Sequence, residues 1–215
     1  MNFFIKRYWK YGIIAACILI VLASWQVPFA FMQTQSTNIF HDKQTEDKTV
    51  ELKGIKLILQ DEQMRETQPE ILVRAIQRAG QLKDESVVND LVKQLTFKRK
   101  FNWEDESAEV SLQIHPITPA GRYPAIGALI LIGEPALPIL AETIAINDIN
   151  SLAGQNALVA LQSIFRDFAR SENYLRQWAI NAPAFESQQR LLDAAEKTKQ
   201  QWLKLEELKT KEKKN

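Results

Sequence analysis

Apolar residues in this chain recur at the three-to-four-residue interval of helices, in blocks separated by short polar or glycine-proline breaks. The clearest block, Tyr123 to Ile144, reads YPAIGALILIGEPALPILAETI. Ala125, Ile126, Leu129, Ile130 and Ile132 fall on helical spacing, Gly133 suits a left-handed helix end, and Pro135 suits the first turn of a second helix. Two helices are therefore predicted across a very short turn. Their apolar stripes are wider than one partner can cover, so the hairpin needs neighbours on both sides.

The same pattern recurs upstream. From Thr67 to Leu95, Pro69 suits a first helical turn, and Ile71, Leu72, Ala75, Ile76 and Ala79 form an inner stripe. A break near Gly80 or Leu82 follows, with Asp84 or Ser86 as cap for a second helix buried through Val87, Val88, Leu91, Val92 and Leu95. Ahead of this pair, Val50, Leu52, Ile55, Ile58 and Leu59 share one helical face, although VELKGIKLIL also carries partial strand-like alternation. Downstream, Ala153, Ala157, Leu158, Leu161, Ile164 and Phe165 begin a third unit whose second helix is degenerate. The last element, 184–215, places Leu191, Leu192, Ala195, Trp202, Leu205 and Leu208 on a helix of more than five turns. It either caps the open end of the helical body or pairs with another chain, and KTKEKKN then forms a solvated basic tail.

AIGALILIGEPALPILAETI and RAIQRAGQLKDESVVNDLVKQL resemble HEAT or HEAT-like repeats. The resemblance covers roughly residues 67 to 168. It implies an all-α fold, a short α-solenoid of stacked helical hairpins, and a role as an interaction surface. The repeat domain is expected at 49–183.

An insertion at 96–122 separates the two clearest units and contains KRKFNWEDESAEVSLQIHPITPAG. A segment this long between repeat helices is usually functional or disordered. Phe97, Phe101 and Trp103 are its candidate protein-binding residues, since aromatic anchors dominate interfaces; alternatively they tuck the insertion onto the helices.

Composition alters the picture chiefly at the N-terminus. Lys6, Arg7 and Lys10 precede the apolar run from Tyr11 to Met32, with Trp9, Tyr11, Trp25 and Phe31 near its ends. Residues 1–32 read as a retained single-pass membrane anchor or as a cleaved signal, and a polar tether follows at 33–48. Both readings put the body outside the cytoplasm, tethered at the membrane or else secreted or periplasmic. The single cysteine, Cys17, lies inside the apolar run, so the body has no internal disulfide. Net charge is +1, with both signs mixed along the body, which argues against nucleic-acid binding.

The chemical inventory is thin. His41 lies in the tether and His115 precedes Pro116 in the insertion, so neither belongs to a metal-ligand spacing. Glu104, Asp105 and Glu106 are adjacent rather than held across a cleft, and Asp84 and Glu134 suit helix starts. No catalytic residue, cofactor or metal site is expected. The sequence thus points to a non-enzymatic protein-binding or scaffolding module with an unidentified protein partner. The alternatives are a secreted structural subunit of a larger assembly or an accessory domain to an enzyme. Leu129→Asp would place an unpaired carboxylate between the central helices and is expected to unfold the domain. A cooperative thermal transition retained in that variant would show that the interface lies elsewhere.

Overall fold

The computed structural model describes residues 47–100 and 118–212. Two compact units, 1–51 and 52–215, divide the chain, and the first contributes only residues 47–51, which are helical. The anchor expected at 1–32, the tether up to residue 46, and His41, Phe101, Trp103 and His115 lie outside the described residues. Among the described residues all regular structure is helical, with no strand.

In the second unit, α1 (52–60) is followed by α2 (Met64–Thr67) and α3 (Pro69–Leu82). A 3-10 turn, Glu85–Val87, leads into α4 (Val88–Lys93). After the insertion come α5 (Pro119–Arg122) and α6 (Pro124–Ile132), and a second 3-10 turn, Glu134–Ala136, opens α7 (Leu137–Ile146). α8 (Leu152–Phe165), α9 (Phe168–Ile180) and α10 (Phe185–Glu212) complete the unit. Local chemistry accounts for many of these starts. Pro69, Pro119 and Pro124 occupy first-turn positions where a missing N–H costs nothing. Asp84, Thr118, Ser151 and Asp167 accept hydrogen bonds from the otherwise orphaned N–H groups of the turns they precede.

The helices pack as two rows. α3 lies against α6 and α6 against α8; in the second row α4 meets α7, α7 meets α10, and α10 meets α9. α4 also touches α6 and α7 touches α8, which ties the rows together. One contiguous apolar core results, from Ile55 to Ala195, with Leu72, Ile76, Ile126, Leu129, Leu140 and Leu161 fully buried. Each such aliphatic side chain contributes roughly 1.5–3 kcal/mol relative to exposure.

Buried amides complete the joints between helices. Asn156 on α8 donates to the Leu95 carbonyl at 2.7 Å, and Gln94 donates to the Leu59 carbonyl at the same distance. Arg65 in turn donates to the Gln94 side-chain oxygen at 2.9 Å and to the Lys93 carbonyl at 2.6 Å. At the end of α7, Arg190 of α10 donates to the Ile146 carbonyl at 2.6 Å. These bonds satisfy carbonyls that a helix end leaves open.

Several expectations are corrected. Ile71 is 38% exposed, whereas Val73 joins Leu72, Ala75, Ile76, Ala79 and Gly80 on the buried side of α3. The face that meets α6 is therefore rotated away from Ile71. Of the two break positions expected, Gly80 and Leu82, the structure has the second: α3 runs to Leu82 and is capped by Lys83 at φ 50° and ψ 39°. Gly133 has φ 82° and ψ −139°, a positive-φ conformation open essentially to glycine but not the left-handed helical one expected. Other expectations hold: the stretch before Gln60 is helix, as its one-sided apolar face predicts, and α9 occupies the segment expected to carry a degenerate second helix. α10 packs through Leu191, Ala194, Ala195 and Thr198, while Trp202, Leu205 and Leu208 beyond them are 40–49% exposed.

Gly80 is buried because a Cβ there would lie 2.6 Å from the Ala128 backbone of α6. At Gly127 a Cβ would meet nothing nearer than 3.7 Å. Replacing a helix-interior glycine with alanine gains about 1 kcal/mol of helix propensity, which is unopposed at Gly127 and overwhelmed by overpacking of about 1–3 kcal/mol at Gly80. Denaturant unfolding should thus find Gly127→Ala more stable than wild type and Gly80→Ala less stable. The reverse order would mean that α3 and α6 do not cross there.

Candidate functional site

Three positively charged residues gather around a groove on the α3–α6–α8 row. Its volume is about 670 Å³, and its apolar floor includes Ile126 and Ala128, with Ile130, Leu131 and Val159 beside them. Lys83 and Arg166 stand at its edge, each as the left-handed C-cap of its helix, on α3 and α8 respectively. Their backbone angles are nearly the same, φ 50° and φ 54°. Both side chains are exposed, and Arg99 joins them half-buried. The remaining polar lining is uncharged, with Gln77, Gln81, Thr118 and Ser163.

Acidic neighbours are turned to another task. Asp84 accepts from the Ser86 N–H at 3.0 Å, and Asp167 accepts from the Ala169 and Arg170 N–H groups at 2.8 and 3.2 Å. Each cation thus precedes a carboxylate that is committed to starting the next helix. The insertion leaves and re-enters the fold beside the same groove: the Arg99 N–H donates to the Arg122 carbonyl at 3.0 Å, and Arg99 and Thr118 both line the cavity.

A second cavity, about 770 Å³, lies between α7, α9 and the start of α10. Ile146, Tyr174, Trp178 and Pro183 line it together with Glu142 and Asn181. Burial pushes the Tyr174 phenol above its ordinary range, opposed by a hydrogen bond from the Trp178 indole. Tyr174 also packs on Phe165 with ring centroids 5.2 Å apart, and Arg170 sits 5.4 Å over the Phe165 ring, so these aromatics join α8 to α9.

Of the three aromatics singled out in the insertion, Phe97 is 7% exposed and belongs to the core. It acts as a packing residue in this structure; Phe101 and Trp103 lie outside the described residues. Among the described residues no group of three or more His, Cys, Asp or Glu side chains is placed to hold a metal ion. No single described helix is long and apolar enough to cross a membrane, and the apolar pair of α6 and the segment 134–146 bends by 115° at its break. Lys83 and Arg166 were not singled out in the sequence. Their signal was present nonetheless, a basic residue directly before an acidic cap in both Lys83-Asp84 and Arg166-Asp167.

No protein-family model, curated protein or solved structure matches this chain.

Proposed function

We propose that this chain is a membrane-tethered, exported module that binds or scaffolds another protein on a short HEAT-like stack of helical hairpins, without catalysis of its own. The observation that carries the reading is a recurring turn. α3, α6 and α8 each end at a residue of positive φ (Lys83, Gly133 and Arg166), and an acidic residue follows every time, Asp84, Glu134 or Asp167. Thr118 and Ser151 stand the same distance apart as Gly133 and Arg166, and each caps its helix by accepting from a glycine N–H, Gly121 or Gly154. The neighbour orders α3–α6–α8 and α4–α7–α10 fit a stack of hairpins.

Binding is supported by apolar side chains on the outside of the fold. Ile146 is 63% exposed at the second cavity, and Ile180 and Phe185, both 77% exposed, flank its rim at Asn181 to Pro183. Clustered exposed apolar surface marks interaction sites. The tether and the outward placement of the body rest on Lys6, Arg7 and Lys10 ahead of the apolar run 11–32. A second reading, self-association through α10, is favoured by the exposed Trp202, Leu205 and Leu208.

One experiment addresses these readings together: crosslinking the full chain in native membranes, with protease added from the non-cytoplasmic side, followed by mass spectrometry. The expected result is a membrane-retained body open to external protease, crosslinked to another protein, with capture weakened in Trp103→Ala while the thermal transition is unchanged. A protease-shielded body would reject the exported placement, and undiminished capture would reject Trp103 as an anchor. Links only between copies through residues 200–212 would leave self-association as the function of α10.

A further inference from the structure

We infer that the groove between Lys83 and Arg166 binds an aliphatic peptide segment carrying carboxylates, supplied by another protein; this rests on the protein-binding reading above and names its site and partner chemistry. The layout of the groove argues for the peptide. α3 and α8 flank α6, and each brings one exposed cation to its C-terminal end, while α6 supplies Ile130 and the 43% exposed Leu131 between them. Neither Lys83 nor Arg166 is paired with a carboxylate among the described residues, and no carboxylate is among the described residues that line the groove. A ligand that matches must therefore present negative charge at its flanks and apolar side chains at its middle.

Nucleic acid is the other polyanion to consider, and the floor disfavours it. Single-stranded nucleic acids are held by aromatic side chains on which bases stack, together with a basic track along the backbone. The apolar part of the groove is Ile, Leu, Val, Ala and Pro, with no aromatic residue among its described lining. Small aliphatic floors accept leucine, isoleucine and valine side chains instead. The two cations also sit on rigid helix ends, so little side-chain-bearing backbone must be ordered on binding.

The positions allow a test that spares the fold. A left-handed residue other than glycine is under backbone strain, so Lys83→Gly and Arg166→Gly relieve that strain while removing the charge, against a comparable loss from the freer unfolded chain. Their thermal midpoints should stay close to wild type. Leu131→Gln changes an exposed side chain and should likewise fold.

The experiment selects binders from a random peptide library displayed on phage, using the full chain in detergent micelles, and measures the selected synthetic peptides by fluorescence anisotropy. Expected are sequences rich in Asp or Glu together with Leu, Ile or Val. Their affinity should fall about tenfold in the Lys83→Gly/Arg166→Gly double variant, as two partly exposed ion pairs are lost, and severalfold in Leu131→Gln. Weakening by added salt should accompany this in wild type and shrink in the double variant. Selected peptides of basic character, or an empty selection, would overturn the proposal. So would tighter binding of a labelled single-stranded oligonucleotide than of any selected peptide. Peptides insensitive to the groove variants but weakened by Trp103→Ala would overturn the groove assignment and leave the broader protein-binding reading standing.

Discussion

The close approach of α3 to α6 at Gly80 and Ala128, with α8 also packed against α6, sets the spacing on which the body depends. α6 has nine residues, too few to hold helical form alone in water, and six of them are buried. Helix and packing are therefore one event. Ile126 and Leu129 have no exposed surface, and together they contribute several kcal/mol only while both neighbouring helices are in place. Removing either neighbour would open an apolar face and leave α6 without the contacts that keep it folded.

Around that centre, polar groups fix what apolar contact leaves loose. Hydrophobic burial is non-directional, so it would tolerate sliding of one helix along another. Asn156 reaching the Leu95 carbonyl, Gln94 reaching the Leu59 carbonyl and Arg190 capping α7 are directional, and each fixes one helix end relative to another element. Breaking either of the two buried amide bonds, from Asn156 or Gln94, strands a shielded carbonyl at a cost of about 1–3 kcal/mol. Register is thus set at the ends of helices, while stability comes from their middles.

Much of this was legible in the sequence because proline, glycine and acidic caps speak directly to helix ends. Pro69 and Pro135 mark starts for a local reason that tertiary contacts do not override, and the alternation of apolar blocks located the paired helices. Of the two break positions read, Leu82 is where α3 ends, and Gly80 sits buried inside the helix instead, since glycine signals two different things. It can end a helix, or it can admit a neighbouring backbone, and only the position of Ala128 distinguishes them. Ile71 misled: an apolar residue at helical spacing was read as buried, yet which side of a helix faces out depends on where its neighbours lie. The groove was illegible for a further reason. Lys83, Arg99 and Arg166 are remote in sequence, and only the α3–α6–α8 row brings the helix ends that carry them to one side.

The central claim, that the body hangs on α6 and its partner α7 held between neighbours on both sides, is tested most directly by native-state hydrogen exchange resolved to single helices. The account predicts that amides of α6 and α7 exchange only through global unfolding, while those of residues 200–212, exposed throughout, exchange orders of magnitude faster. Exchange from α6 that runs ahead of α9 and the first half of α10 would contradict it, since the supposed centre would then open while its periphery stayed closed.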